Sequence, residues 1–171
     1  MASKTTTILL GLALVATAAC SKKRPEVLPP PPGEAPAGPV DNGGMGDGAV
    51  RPGSAEDFKR SVTSDTVNFG LDMYDIDGTA RGILDTQADW LQRHPTVRIT
   101  IEGHCDERGT REYNLALGDR RANSAKNYLV SRGIAASRIT TISYGKERPA
   151  ALGSDEESYA QNRRAVTVVI G

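Results

Sequence analysis

The densest run of reactive side chains in the sequence is His104-Cys105-Asp106-Glu107-Arg108. As metal ligands the first four are badly spaced. Adjacent residues rarely converge on one ion, the spaced Cys or His pairs of structural zinc sites are missing, and His94 is the only other histidine. As a nucleophile and base, Cys105 and His104 are neighbours whose side chains point to opposite sides of an extended segment. No Gly-x-Ser-x-Gly elbow, phosphate-cradling glycine loop or dinucleotide fingerprint occurs elsewhere. The expectation is therefore a protein without catalytic residues, metal or cofactor. What remains is capture of a small zwitterion. Asp106 can accept from an ammonium group, and Arg121 carries a fork suited to a carboxylate. On composition alone, the same two residues read first as an internal salt bridge or as solvated surface.

The elements that must position these groups follow from periodicity. Residues 66–69 form a short strand with Val67 and Phe69 on one face. Ala80, Ile83, Leu84, Ala88 and Leu91 recur at three-to-four spacing and predict an amphipathic helix over residues 79–93, stopped before Pro95, with Trp90 packing at its edge. Val97, Ile99 and Ile101 alternate with Arg98, Thr100 and Glu102, a strand with one buried face that ends at Gly103. Residues 104–110 are then loop, which puts Asp106 just beyond the C-terminal end of a strand. A long helix over residues 112–132 follows, with Gly118, Ala122, Ala125 and Leu129 as a small-residue stripe that permits close approach to a sheet, and with Gly133 as its stop. Ile139, Ile142 and Tyr144 mark a third strand, residues 155–164 a short polar helix, and Val166, Val168 and Ile170 a last strand. The order strand, helix, strand, helix, strand, helix, strand predicts an α/β two-layer sandwich: a mixed sheet of about four strands with helices on one face.

Composition divides the rest of the chain. The 171 residues carry 21 Lys+Arg and 21 Asp+Glu, and this balance removes the basic footprint that a sequence-independent nucleic-acid binder needs, so no nucleic acid is expected. Eight of the ten prolines and seven of the eighteen glycines lie within residues 25–53, which hold no aromatic residue. Such a stretch buries too little surface to offset its ordering entropy and reads as a linker. Ahead of it, Lys4, an apolar run over residues 8–16 and the small residues Thr17-Ala18-Ala19 have signal-peptide anatomy. The run is too short for a permanent span, which takes about 20 residues. Small residues followed by Cys20 resemble the lipobox of bacterial lipoproteins, with Thr17 where lipoboxes carry Leu or Val. That resemblance implies lipidation of Cys20. Ordinary cleavage after Ala19 is the other reading. Ser21 after the cysteine favours the outer membrane by the same analogy. The resulting plan is a signal peptide (1–19), a lipidated cysteine with its linker (20–56) and one globular domain (57–171). Lipidation of Cys20 leaves Cys105 unpaired, and it is read as a small buried residue.

Gly103-His104-Cys105-Asp106-Glu107-Arg108-Gly109-Thr110, followed by Asn114, Leu117, Gly118, Arg121, Ala122, Ala125 and Leu129, resembles the peptidoglycan-binding signature of OmpA-like C-terminal domains. The segments 143–149 and 162–166 match that family too. Asp-Glu-Arg-Gly-Thr together with Tyr74-Asp75-Ile76 is similar, more narrowly, to the peptidoglycan-associated lipoproteins of the Tol-Pal system. The resemblance implies binding of the cell-wall peptide stem through meso-diaminopimelate. Asp106 would hold its ammonium and Arg121 its carboxylate, Asn114 and Leu117 would shape the pocket, and Tyr74, Asp75 and Ile76 would line the opposite rim. Read locally, Asn114 caps the long helix and Leu117 is core. The resemblance also implies TolB and TolA as partners, a periplasmic domain anchored by lipid in the outer membrane, and a role in envelope integrity and constriction at division. An OmpA-like wall-binding lipoprotein of another envelope complex, for secretion or motility, is the alternative.

Overall fold

The computed structural model describes residues 50–170. The expected signal peptide, Cys20 and nearly all of the linker lie outside them. The described elements run α1 (Ala55–Ser61), β1 (Thr66–Asn68), α2 (Gly78–Arg93), β2 (Arg98–His104), α3 (Arg111–Ser131), a 3-10 turn (Ala136–Arg138), β3 (Ile139–Gly145), α4 (Glu156–Asn162) and β4 (Arg164–Ile170). The four strands form one mixed sheet in the order β1-β4-β2-β3. β2 and β3 are parallel, joined through α3, whereas β4 runs antiparallel to both β1 and β2. No helix among the described residues is long and apolar enough to cross a membrane.

The alternation read in the sequence explains the layering. Ile99 and Ile101 of β2 are fully buried, while Arg98 between strands and solvent is exposed and Thr100 and Glu102 are half-buried. Leu84 and Leu91 of α2 and Ala122, Ala125 and Leu129 of α3 meet those isoleucines, together with Val67, Ile139 and Ala165. Ile142, Val168 and Ile170 stand outside this cluster and are partly exposed.

Two glycines set how closely α3 approaches. A Cβ on Gly103 would lie 1.9 Å from the Gly118 carbonyl oxygen, and one on Gly118 would lie 2.3 Å from Ser143 Oγ. The small-residue stripe is thus a steric requirement where β2 ends, and it brings the start of α3 over the loop that carries Asp106.

The structure corrects the reading of Trp90, which is 0% exposed rather than at an edge. The seven-residue α1, which the periodicity did not reveal, covers it. Phe58 packs edge-to-face on its ring at 4.9 Å, and the indole Nε1 donates to Asp57 Oδ2 at 3.2 Å. The folded chain accordingly starts ahead of residue 57, with Ser54 capping α1.

Candidate functional site

The loop between β2 and α3 is held from several sides. Cys105 N–H donates to the Gly145 carbonyl at the end of β3, and Lys146 Nζ donates to the Glu107 and Gly109 carbonyls at 2.9 and 2.8 Å. Glu107 Oε1 accepts from Ser154 Oγ and Tyr159 OH. Gly109 turns the chain at φ +84°, a left-handed conformation that suits glycine, and Thr110 then caps α3 by accepting from Tyr113 N–H. Asn114 is therefore not the cap. Its buried amide donates to the Arg108 and Thr110 carbonyls at 2.7 and 3.1 Å and braces the loop from the helix.

This frame encloses a pocket of about 290 Å3. Leu117, Tyr113 and Leu71 supply apolar walls, and its charged lining is three guanidiniums (Arg108, Arg121, Arg163) and two carboxylates (Asp72, Asp106). Asp106, 5% exposed, is the most heavily engaged. Arg108 reaches it with two nitrogens, at 3.2 and 2.6 Å, and donates its backbone N–H to it as well, while Arg163 Nη1 approaches to 3.5 Å. Burial pushes this carboxyl up, but the hydrogen bonds from Arg108 and Arg163 outweigh it and hold the group below the usual carboxylate range. Arg108 itself is partly exposed and lies 4.3 Å over the Tyr159 ring.

Arg121 is 0% exposed, and a fully buried guanidinium must find acceptors for its donors. It finds them in the backbone. Nε donates to Met73 O at 2.8 Å, Nη1 to His104 O at 2.9 Å and Cys105 Sγ at 3.4 Å, and Nη2 to Gly70 O at 3.0 Å. Four of its five N–H donors are thus committed to tying residues 70–73 to the end of β2. The residue borders the pocket, but it is not a free fork. Burial draws its pKa down, with Cys105 and Asp106 opposing. Cys105 is buried between these groups, donating to Asn114 O at 3.3 Å, and burial raises its thiol pKa. His104 turns away from it toward the Tyr144 ring, 5.6 Å between centroids.

The structure thus brings Asp106, Asn114, Leu117 and Arg121 to one pocket. Tyr74, Asp75 and Ile76 do not line it. They border a separate, shallower depression with Arg81, Ser124 and Asn127. The Gly70 and Met73 carbonyls that Arg121 holds bracket Leu71 and Asp72, and these are the loop residues on the rim of the first pocket. Asp72 there has a left-handed backbone, φ +54°, and accepts from Tyr113 OH at 3.0 Å. Arg163, Arg108 and Asp72 are the residues that motif spacing missed as site members. Arg163 lies in the 162–166 segment already singled out, but nothing in the spacing joined it to Asp106, 57 residues away. Among the described residues no group of three or more His, Cys, Asp or Glu side chains is placed to hold a metal ion.

Comparison with known proteins places this architecture. The OmpA family model matches residues 68–163. The chain is 55% identical over 128 residues to a peptidoglycan-associated lipoprotein of Rhizobium meliloti (strain 1021), covering 75% of this chain and 72% of that one. It is 46% identical over 160 residues to a peptidoglycan-associated lipoprotein of Mesorhizobium japonicum, covering 94% and 89% of the two chains. The crystal structure of the peptidoglycan-associated lipoprotein from Burkholderia pseudomallei aligns with a TM-score of 0.63 at 41% identity, over 67% of this chain and 100% of that one. The C-terminal domain of Helicobacter pylori MotB shares the fold at 21% identity and a TM-score of 0.59, over 63% and 84% of the two chains. With a family match across more than half of its length and relatives this similar over most of both chains, the chain belongs to the OmpA family and, within it, to the peptidoglycan-associated lipoproteins.

Proposed function

We propose that the domain binds the uncrosslinked peptide stem of peptidoglycan through the side chain of meso-diaminopimelate, and that a lipid on Cys20 joins this contact to the outer membrane. The observation that carries the reading is the pocket itself, in which Asp106 and Arg121 border one small space with apolar walls. Its lining holds carboxylates for an ammonium and guanidiniums for a carboxylate, so it suits a ligand group that presents one of each on a single carbon.

The geometry suggests how the exchange proceeds. Arg108 occupies the position at Asp106 that an ammonium would take, and it is the most solvated of the three arginines. The ligand ammonium displaces it, and the released guanidinium turns to a ligand carboxylate. Arg121 contributes its charge and its one uncommitted N–H, while its other bonds hold the pocket rim. Leu117 and Tyr113 exclude water from the methylene chain that joins this charged head group to the stem backbone.

Bivalency gives the weak wall contact its use. Taken as a tether, the linker reaches roughly 35 Å as a coil and about 120 Å fully extended. It therefore sets the effective concentration of the pocket at the wall, and many reversible contacts together hold the membrane. TolB and TolA as partners, and a role in envelope integrity and constriction at division, rest on kinship with the peptidoglycan-associated lipoproteins.

Calorimetric titration of the full chain with a diaminopimelate-containing stem peptide tests the reading. Binding by the parent, lost in a folded Asp106→Ala variant, supports it. A folded parent that binds neither this stem nor purified sacculi overturns it.

A further inference from the structure

The stem-binding reading leaves most of a wall fragment unaccounted for. A pocket of about 290 Å3 takes one amino-acid side chain, and the stem is covalently joined to an N-acetylated glycan that must lie outside it. The loop over residues 70–76 shows one place where it can lie. Its first part, Leu71 and Asp72, walls the pocket, and its second part, Tyr74 and Asp75, walls the second depression. Between the two sits Met73, 57% exposed, flanked by exposed Leu71 and Tyr74. The two concavities are therefore consecutive along one strip of loop.

The second depression has a volume of about 640 Å3, within the ~300–1,000 Å3 of small-ligand sites. Its floor is the seam between α2 and α3, closed where Tyr128 OH donates to Asp85 at 2.8 Å. Ser124 and Asn127 face it from the same side of α3, and Arg81 faces it from the first turn of α2. The side chains of Asp75, Arg81, Ser124 and Asn127 make no hydrogen bond to the other described residues, in contrast to the saturated network around Asp106. Tyr74 offers an exposed aromatic face beside them, with Arg120 5.8 Å from its ring centre. Planar amide, carboxylate and guanidinium groups next to an aromatic face match the alternating hydroxyl edges and apolar faces of a pyranose ring.

On these grounds we propose that the depression bordered by Tyr74, Asp75, Arg81, Ser124 and Asn127 is a saccharide subsite that receives the N-acetylated sugar of the wall fragment whose stem enters the first pocket. The inference rests on the stem-binding reading. It gives residues 74–76 a different ligand from Asp106: sugar rather than diaminopimelate.

The test compares two ligands on the full-length protein by calorimetry, a free diaminopimelate stem peptide and the same stem carried on its N-acetylated disaccharide. The disaccharide-bearing ligand binds about 5- to 10-fold tighter, as two or three added neutral hydrogen bonds of modest net strength would give. Asn127→Ala and Arg81→Ala, both exposed and without side-chain bonds to lose, remove most of that advantage and leave affinity for the free stem unchanged. Equal affinity of the parent for both ligands overturns the subsite while sparing the stem pocket. So does a loss in the two variants that falls equally on both ligands, or an equal gain from a stem lengthened by amino acids instead of sugar. If neither ligand binds, the stem reading falls and takes the subsite with it.

Discussion

His104 and Asp106 stand two residues apart at the end of β2, both are nearly inaccessible to water, and the fold treats them in opposite ways. Asp106 keeps its charge because Arg108 and Arg163 are built around it. His104, 2% exposed, has no hydrogen-bond partner on either ring nitrogen among the described residues, and Glu102 lies 3.6 Å from its Nε2. Burial, with the nearby positive charge of Arg164 and Arg148, lowers its pKa to about 4, so it is neutral near pH 7. A buried titratable group is tolerated either by pairing or by discharge. Here pairing faces the pocket, where a charge is useful to a ligand. Discharge occurs beside the Tyr144 ring, away from it.

The change that should break both halves at once is Gly103→Ala. The added methyl would sit 1.9 Å from the Gly118 carbonyl, so α3 must move away from the strand that ends at His104 and leads into Asp106. The expected loss is ~3 kcal/mol or more, read from the urea midpoint, and pocket binding should vanish with it.

Arg121→Ala comes next, because it removes the one side chain that bonds the Gly70, Met73 and His104 carbonyls together and leaves Gly70 O with only the Met73 N–H. A loss of ~2–4 kcal/mol is expected. Hydrogen exchange should quicken over residues 70–76 before it does so in β2. Arg121→Lys should rescue little, since one ammonium cannot span carbonyls that a planar fork bridges.

Asp106→Asn sharpens the paired half. It retains the size of the side chain but removes the charge that Arg108 and Arg163 face, and stem affinity should fall ~10–100-fold, the scale of one charge-assisted hydrogen bond. A titration showing undiminished affinity would mean that the ammonium is held elsewhere.

His104→Phe tests the discharged half and has the smallest effect at neutral pH. In the native state His104 stays unprotonated down to about 4, whereas the unfolded chain binds that proton from its ordinary 6.5. The unfolded state therefore holds more protons within this window, and stability must drop as pH falls from 6.5 toward 4 while being indifferent to His104 above it. Phe removes this dependence and leaves the loss at still lower pH, where Asp106 and the other depressed carboxylates take up protons. Urea midpoints measured across pH 4–8 for parent and variant would check it.

How far the sequence could be read depended on the range over which information is written. β2 was legible because Ile99 and Ile101 alternate strictly with polar residues, and α3 because its small residues recur at helical spacing between Thr110 and Gly133. α1 was not, because seven residues with one buried side chain, Phe58, carry no period, and contact with Trp90 gives the helix its apolar partner. Asp106 and Arg121 were legible from their side-chain chemistry, and Asn114 and Leu117 joined them only through the family resemblance; one loop and the first turns of one helix present all four.

The remaining site members arrive from distant segments. Asp72 is delivered by a turn that Met73 N–H closes on Gly70 O and Arg121 holds in place, and Arg163 by the junction of α4 and β4, where β4 has crossed to pair between β1 and β2. Residue types and local spacing determined which charges the protein owns, which strands and helices carry them, and that a carboxylate and a guanidinium end up near one another. Only the tertiary structure decided what each charge touches. Hydrogen bonds to a buried ion are assigned by which backbone carbonyls the packed layers bring within its reach, and that assignment made Arg121 the fastener of the 70–73 loop, with Tyr74, Asp75 and Ile76 beyond it at a second depression.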